Sequence, residues 1–284
     1  MMQILDGKLL AEDMITEIKT KIQNLKINGM QPKLQIIQVG DNSESSTYVR
    51  MKRKKAEEIG AICNVDNLPV QATADELMIL IDKYNKDQTV HGILVQMPLP
   101  DHLPKQKIIN LINPAKDVDG LTAANQAKLL QNDPTGLVPA TPRGIMIMLE
   151  RYKIELNGKK VVVVGRSHLV GLPTALLCLH KNATVTICHS QTSNLMAETA
   201  DADVLIIAVG RPKMITEEYV KPGATIIDVG ISRTDDGLLG DVDLNSVIQK
   251  VKYVSPVPGG VGPMTVACLW QNVLDACLTI NNFK

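Results

Sequence analysis

The segment Lys160-Val161-Val162-Val163-Val164-Gly165 decides the fold of this 284-residue chain. It is a continuous apolar run that ends at a glycine, and a helical pattern from about Val170 to His180 follows it. Continuous rather than alternating hydrophobicity is typical of parallel strands that are buried on both faces. Three more strands of this kind are predicted at Thr184 to Cys188, Val204 to Val209 and Thr225 to Val229. The second half of the chain is therefore predicted to be a doubly wound, Rossmann-like nucleotide-binding domain.

The first half also alternates strand-like and helix-like patterns, which indicates βαβ units and a parallel sheet. Strands are predicted at Leu34 to Val39, Ala61 to Val65 and Gly92 to Gln96, and helices at Ser45 to Ile59 and Ala74 to Tyr84. A concentration of Pro, Gly, Asn and Asp between Gln131 and Pro142 indicates a domain boundary, followed by a linking helix from Arg143 to Tyr152. The apolar-rich segment Met264 to Ile280 predicts a long helix that packs back on the first domain.

The prediction is thus an α/β fold of two domains with a cleft between them. Residues 1–138, completed by the C-terminal helix 264–284, form the first domain, and residues 139–263 form the nucleotide-binding domain.

The composition limits the class of partner and the compartment. With 45% hydrophobic and 21% charged residues the chain is globular, and 30 basic residues balance 30 acidic ones. Nucleic acid and membranes are therefore not expected partners. The sequence has neither a signal-peptide pattern nor an apolar run long enough for a membrane span, so a cytoplasmic protein is expected. Five cysteines without a C-x-x-C pair are expected to be reduced thiols, and the histidine spacing predicts no metal site.

A cofactor site is predicted at Gly165-Arg166-Ser167-His168-Leu169-Val170-Gly171, where a strand ends and a helix begins. Helix N-termini at such turns bind the pyrophosphate of a dinucleotide. The segment is not a clean G-x-G-x-x-G, so a generic strand-turn-helix remains the alternative. The next strand ends in Cys188-His189-Ser190, without the carboxylate that grips the ribose of NAD, whereas Arg166 could pair with a 2′-phosphate. NADP is therefore favoured over NAD, unless Arg166 is an ordinary solvated arginine.

A catalytic group is suggested by Tyr48 and Lys52, which are four residues apart in a helical pattern and so share a face. The run Lys52 to Lys55 could equally be a solvated basic face. Gln96 lies at the carboxyl end of a buried strand, where open α/β sheets place ligand-binding groups. Asp117 and Asp119 are two further carboxylates, and their spacing does not assign either one to substrate recognition or to a turn.

The run Pro256-Val257-Pro258-Gly259-Gly260-Val261-Gly262-Pro263-Met264-Thr265 predicts a loop at a ligand. Glycine lets backbone approach a flat ligand closely, and proline removes freedom that would otherwise be lost on binding. A strand-to-helix connector is the alternative interpretation.

Together these motifs resemble the bifunctional methylenetetrahydrofolate dehydrogenase/methenyltetrahydrofolate cyclohydrolase (FolD) family, and the match is collinear over nearly all of the chain. The residues that carry the resemblance are Asp6-Gly7-Lys8, Tyr48-x-x-x-Lys52, Val95-Gln96-Met97-Pro98-Leu99-Pro100, Lys116-Asp117-Val118-Asp119-Gly120, Thr141-Pro142-Arg143-Gly144, Gly165-Arg166-Ser167 and Pro258 to Thr265. Small departures are Met97, where the family usually has Leu, Ala140, where Cys is common, and His168 at a variable position.

The resemblance implies oxidation of 5,10-methylenetetrahydrofolate with NADP and hydrolysis of the methenyl product to 10-formyltetrahydrofolate, within one-carbon metabolism and purine biosynthesis. It implies that Lys52 is the principal catalytic group, that Tyr48 stacks on the folate, that Gln96 orients Lys52 and that Asp119 holds the pterin, while Asp117 is structural. Further substrate-binding residues would be Val95, Met97, Pro258, Gly259, Gly260 and Val261. Contacts with NADP would come from Gly165, Arg166, Ser167, Ser190 and Ile231. The resemblance also implies that the first domain, residues 1–138 with helix 264–284, is the folate-binding catalytic domain and that the protein is a homodimer.

Other functions compatible with these patterns are a folate dehydrogenase without hydrolase activity, a dehydrogenase for a hydroxy or amino acid, and a nucleotide-sensing protein without turnover. The set of Tyr48, Lys52 and Gln96 argues against the first. The second would require a cationic clamp for a carboxylate. Production of NADPH from methylenetetrahydrofolate would separate an enzyme from a sensor.

Overall fold

A computed structural model describes residues 2–235 and 237–283 of the chain. Within these ranges the helices are α1 (Gly7–Ile27), α2 (Ser43–Ile59), α3 (Ala74–Lys86), α4 (Lys105–Ile109), α5 (Ala123–Leu130), α6 (Ala140–Arg151), α7 (Gly171–His180), α8 (Leu195–Thr199), α9 (Leu244–Val247) and α10 (Val261–Ile280). The strands are β1 (Gln3–Ile4), β2 (Lys33–Val39), β3 (Ile62–Leu68), β4 (Gly92–Val95), β5 (Lys160–Val164), β6 (Thr184–Cys188), β7 (Val204–Ile207), β8 (Thr225–Asp228), β9 (Ser232–Thr234), β10 (Gly237–Leu239) and β11 (Tyr253–Val254).

One compact unit contains a six-stranded sheet in the order β1-β11-β8-β7-β5-β6, and every pairing in it is parallel. Its central strands are apolar on both faces: the four valines of β5 are at most 2% exposed. Strands without a polar face can only lie inside a sheet that helices cover on both sides. The predicted α/β class with a Rossmann-like domain is confirmed.

The other unit contains a three-stranded parallel sheet in the order β3-β2-β4. Leu34, Ile36 and Ile37 of β2 are fully buried. Helix α3 begins with a capping box, in which Thr73 and Glu76 satisfy each other's backbone amides. The successive strand-helix-strand pattern places the carboxyl ends of β2 and β4 at the same edge, and Gln96 follows β4 there.

The described residues divide into these two compact units. Residues up to Glu12 group with Thr141–Thr265, and Asp13–Ala140 group with the residues from Val266 onward. The first residues group with Thr141–Thr265 because β1 pairs with β11, Gln3 opposite Tyr253 and Ile4 opposite Val254.

The C-terminal part of α10 is anchored in the catalytic unit by a buried amide. Asn272 is fully buried, and its Nδ2 donates to the carbonyls of Val118 (2.8 Å) and Val138 (2.9 Å). Farther along, Asn281 contacts the ring of the buried His91 at 3.2 Å. Of the helices in the two described ranges, none combines the length and the apolar content that crossing a membrane requires.

Candidate functional site

The first candidate site is built around the ammonium group of Lys52 on α2. Its Nζ donates to Oε1 of Gln96 at 2.9 Å. The amide of Gln96 is itself oriented, because its Nε2 donates to the carbonyl of Met97 at 2.8 Å. The same carbonyl accepts from Oγ of the buried Ser45 at 3.1 Å. A chain of hydrogen bonds therefore presents an oxygen, and not an NH₂ group, to Lys52.

The electrostatics of this cluster favour a lysine that loses its proton readily. Burial lowers the pKa of Lys52, while the charge of Asp119 and, to a smaller degree, Cys63 act in the opposite direction. Burial raises the pKa of Asp119, an effect that Lys52 opposes and the neighbouring Asp117 reinforces. The amine and the carboxylate thus partly compensate each other's loss of solvation.

Asp117 fixes the turn that carries Asp119. It forms a parallel bridge with Ile93 of β4, and its carboxylate, 1% exposed, accepts hydrogen bonds from backbone. The donors are the amides of Leu121 (3.1 Å) and Thr122 (2.8 Å), with a further bond from Nδ2 of Asn125 at 2.9 Å. The turn is held from the same sheet that positions Gln96.

Tyr48 lies one helical turn before Lys52 on α2, and it is 41% exposed. An accessible phenol ring four residues from an amine can lie along a flat heterocycle while the amine reaches its reacting edge. Met97 is half-buried, whereas the side chain of Val95 is 4% exposed and packs in the hydrophobic core.

The second candidate site is the turn between β5 and α7. Gly165 has φ +128°, and a Cβ there would lie 2.5 Å from the carbonyl oxygen of Ala208. A Cβ on Gly171 would collide with the carbonyl of Gly165, so this glycine allows α7 to pack closely on the strand end. Oγ of Ser167 accepts from the amides of Val170 (3.1 Å) and Gly171 (3.4 Å). These are the functions of glycines in a dinucleotide turn, although Gly171 falls one residue later than in the common motif.

The ends of the neighbouring strands border this turn. The amide of Gly165 donates to the carbonyl of Cys188, the last residue of β6, at 2.9 Å. Arg166 and Ser190 are both exposed, and no carboxylate stands within Cys188-His189-Ser190. Ile231, after β8, is 40% exposed, and its Cδ1 would lie 3.3 Å from a Cβ on Gly262. A strand-end glycine turn, a helix N-terminus and an exposed arginine fit the pyrophosphate and 2′-phosphate of NADP.

The glycine-proline loop lies in the same unit and packs on the N-terminal motif. Gly259 has φ +102°, and its carbonyl accepts from the amide of Lys8 at 2.9 Å. A Cβ on Gly7 would collide with the carbonyl of Gly260, so the two segments are in direct backbone contact. Helix α10 begins at Val261, three residues before the predicted start and inside the predicted loop, so that only Pro256 to Gly260 form a loop and residues 261–265 are helical. The two motifs are thus parts of one structure.

The predicted site residues fall into two sets. The unit of Asp13–Ala140 carries Tyr48, Lys52, Val95, Gln96, Met97 and Asp119, and the unit of Thr141–Thr265 carries Gly165, Arg166, Ser167, Ser190, Ile231 and Pro258 to Val261. The structure brings Lys52 and Gln96 into direct contact. Sequence reasoning missed Ser45, although it stands three residues before Tyr48 and so lies near the same face of α2.

Comparison with known proteins identifies both halves of the chain. The family model "Tetrahydrofolate dehydrogenase/cyclohydrolase, catalytic domain" matches residues 5–119. The model "Tetrahydrofolate dehydrogenase/cyclohydrolase, NAD(P)-binding domain" matches residues 139–281, which confirms the predicted class of cofactor.

Whole-chain relatives agree with these two matches. A protein of Halothermothrix orenii described as bifunctional protein FolD is 49% identical over 96% of this chain and 97% of its own length. The crystal structure of the bifunctional FolD enzyme of Campylobacter jejuni has a TM-score of 0.97 at 43% identity, and covers 98% of this chain and 99% of that one. The FolD enzyme of Trypanosoma brucei, solved with NADP cofactor and an inhibitor, has a TM-score of 0.93 at 34% identity, with 98% of each chain covered. The chain belongs to the tetrahydrofolate dehydrogenase/cyclohydrolase family.

Proposed function

We propose that this protein oxidises 5,10-methylenetetrahydrofolate with NADP to the 5,10-methenyl cation and hydrolyses that cation to 10-formyltetrahydrofolate. The observation that carries the proposal is the hydrogen bond of 2.9 Å between Lys52 and Gln96, in a chain whose two halves match the two domains of the family. Both activities then depend on one folate site, with a separate nucleotide turn for the oxidation.

The oxidation places modest demands on side chains. NADP, when bound, supplies the acceptor for the hydride that leaves the methylene carbon. The protein contributes alignment, and holding two reactants in a reactive geometry can contribute about 7–11 kcal/mol. In this proposal Tyr48 stacks on the folate ring and Asp119 accepts hydrogen bonds from the polar edge of the pterin. Met97 and Pro258 to Val261 are proposed as further substrate contacts, to which Val95, whose side chain packs in the core, can contribute only its main chain.

The hydrolysis requires a group that moves protons. A water oxygen forms a bond to the cationic methenyl carbon and loses a proton. One carbon–nitrogen bond then breaks, and the electron pair remains on the nitrogen, which is protonated. The hydroxyl group that came from the water loses its remaining proton to give the formyl carbonyl, so that one proton is released overall. A neutral amine at Lys52 can accept the proton of the water and return one to the leaving nitrogen. Burial lowers the pKa of Lys52, and a cationic substrate beside it acts in the same direction.

The specificity for NADP over NAD is assigned to Arg166 and Ser190. Both side chains are exposed near the carboxyl ends of β5 and β6, where the ribose of a dinucleotide lies. A guanidinium and a hydroxyl can hold the additional phosphate of NADP, whereas a carboxylate at this place would repel it. Ser167, Gly165 and Ile231 are proposed as the remaining contacts.

The assembly and the location of the protein are also proposals. We infer a homodimer that works in the cytoplasm, in one-carbon metabolism and purine biosynthesis, without nucleic acid or membrane partners. In the described ranges β6 pairs on one side only, and Ile187 on it is 38% exposed, which supports a contact at this edge. Sedimentation equilibrium of the full chain tests the dimer, since a monomer at micromolar concentration would contradict it.

Two assays on the purified protein test the activities separately. Methylenetetrahydrofolate with NADP is expected to give NADPH, and replacement of NADP by NAD is expected to reduce the rate severalfold or more. Methenyltetrahydrofolate without nucleotide is expected to disappear faster than in buffer alone. Loss of the second activity with the first intact would identify a dehydrogenase without hydrolase function, and absence of both would contradict the proposal.

A further inference from the structure

Two buried aspartates lie beside the nucleotide turn, and the catalytic scheme does not use them. Asp228 is the last residue of β8 and is 3% exposed, and Asp241 is fully buried. Neither was singled out by its sequence pattern. A buried carboxylate is costly unless its charge is compensated, so two of them in one place require an explanation.

Asp241 binds the loop that follows β7 through three consecutive backbone amides. Its Oδ2 accepts from Val209 (2.8 Å) and Gly210 (3.1 Å), and its Oδ1 accepts from Arg211 (2.6 Å). An ionised carboxylate accepts all of these bonds at once, and bonds of this kind are roughly twice as strong as those between neutral groups. The conformation of residues 209–211 is therefore fixed from inside the domain.

Asp228 holds Asp241 in place by the same means. Its Oδ1 accepts from the amides of Gly230 (3.1 Å) and Asp241 (3.0 Å), and its Oδ2 accepts from Val242 (3.0 Å). Two glycines make room for the pair. A Cβ on Gly230 would collide with the carboxylate of Asp241, and one on Gly240 would collide with that of Asp228.

The loop held by Asp241 borders the place where a dinucleotide binds. In the sheet β7 is the neighbour of β5, and Gly165 at the end of β5 approaches the carbonyl of Ala208 so closely that a Cβ would lie 2.5 Å away. After β5 the chain continues to β6 on one side of it and later to β7 on the other side, so the order of the strands reverses at β5. Ligands of doubly wound sheets bind outside the carboxyl ends of the strands at the place where the order reverses. Gly210 is exposed, and nothing lies within 4 Å of a Cβ built on it.

We propose that Asp241 is a positioning residue for NADP: its buried carboxylate holds residues 209–211 in the conformation against which the nucleotide binds. The inference rests on the proposed function, because it assumes that the turn at Gly165 takes NADP. Asp228 acts on the nucleotide only indirectly, because its carboxylate fixes the backbone of Asp241 and Val242.

The test is the variant Asp241→Asn in the full chain. The amide group keeps the size of the carboxylate but directs an NH₂ group at backbone donors. Loss of one or two charge-assisted bonds is expected to raise the Kd and the KM for NADP about tenfold to a hundredfold. The kcat at saturating NADP is expected to change much less. Hydrolysis of methenyltetrahydrofolate without nucleotide is expected to stay within about twofold of the wild type, since Lys52 and Gln96 lie in the other unit. A matched control is Asp243→Asn, two residues away. It should leave the Kd and the KM for NADP, the kcat and the rate of hydrolysis unchanged.

A second variant keeps the inference testable if Asp241→Asn does not fold. Gly210 has φ +65°, where a β-branched residue is strained, and a side chain there meets open space. Gly210→Val should therefore displace the loop without disturbing the core, and should raise the Kd for NADP with hydrolysis retained.

An unchanged Kd for NADP in a folded Asp241→Asn variant would overturn the inference. If that variant does not fold, an unchanged Kd in Gly210→Val would do the same. A wild-type protein that neither reduces NADP nor hydrolyses the methenyl cation would contradict the proposed function instead, so the two failures can be distinguished.

Discussion

The substitution Gln96→Glu tests whether the ionisation of Lys52 limits hydrolysis. In the structure Oε1 of Gln96 accepts from Nζ of Lys52 at 2.9 Å, and Nε2 is bonded to the carbonyl of Met97. Glutamate has nearly the same shape, so the substitution changes one property above all: a neutral oxygen beside the amine becomes a charged one.

The size of the effect follows from the distance. At an effective dielectric constant of about 20, unit charges 2.9 Å apart attract by about 6 kcal/mol. Part of this is lost, because the new carboxylate must itself be desolvated and faces the carbonyl of Met97. Opposite charges at such distances commonly favour the ionised form by a factor of about 10 to 1000. The fraction of neutral Lys52 should fall by the same factor, and the kcat/KM of hydrolysis with it.

The assay is the pH dependence of kcat/KM for methenyltetrahydrofolate, with the uncatalysed rate subtracted at each pH. Gln96→Glu should shift the rising limb of the profile to higher pH, so that activity is recovered in alkali. The control Gln96→Leu removes the acceptor without adding charge, and should lower activity without an alkaline shift. If the profile of Gln96→Glu superimposes on that of the wild type, Lys52 is not the group whose proton matters.

Three further perturbations have expected outcomes. Asp119→Asn removes the charge that opposes the effect of burial on Lys52, so the pKa of Lys52 should fall further. The rising limb of the pH profile of hydrolysis should therefore move to lower pH. A shift to higher pH would contradict this electrostatic account. Gly165→Ala places a methyl group against a backbone oxygen at φ +128°, and should weaken NADP binding by about tenfold or more in fluorescence titration while hydrolysis without nucleotide is retained. Asn272→Ala leaves the carbonyls of Val118 and Val138 without their buried donor. Urea unfolding should then show a loss of about 2–4 kcal/mol in the free energy of unfolding. A loss below about 0.5 kcal/mol would mean that other donors replace Asn272.

Much of the fold could be predicted because several of its strands, among them β4, β5 and β7, are continuous apolar runs. The strand from Lys160 ends at Val164, next to the predicted glycine, and the strand at Thr184–Cys188 has the predicted bounds. Strands β1 and β11 have two residues each and carry no periodicity, so they were missed. Their pairing joins Gln3 to Tyr253, at opposite ends of the chain, and a local pattern contains no information on such a partner.

The site could be predicted only where spacing or a motif marks it. Tyr48 and Lys52 are marked by their helical spacing, and Gln96 by its place at a strand end. The carboxylates of Asp117, Asp228 and Asp241 bind backbone amides, and such bonds leave no residue pattern because every residue except proline offers the same donor. The orientation of Gln96 likewise depends on a main-chain carbonyl.

The central claim, that Lys52 carries the hydrolysis, is tested most directly by the substitution Lys52→Met beside Lys54→Met. Both variants lose one lysine of the same helix, but Lys54 is exposed, whereas Lys52 is half-buried and bonded to Gln96. We expect Lys52→Met to lower the kcat of methenyltetrahydrofolate hydrolysis by about 10²–10⁴-fold, which is the usual contribution of a general base. Lys54→Met should retain the wild-type rate. Hydrolysis by Lys52→Met at the wild-type rate would contradict the account.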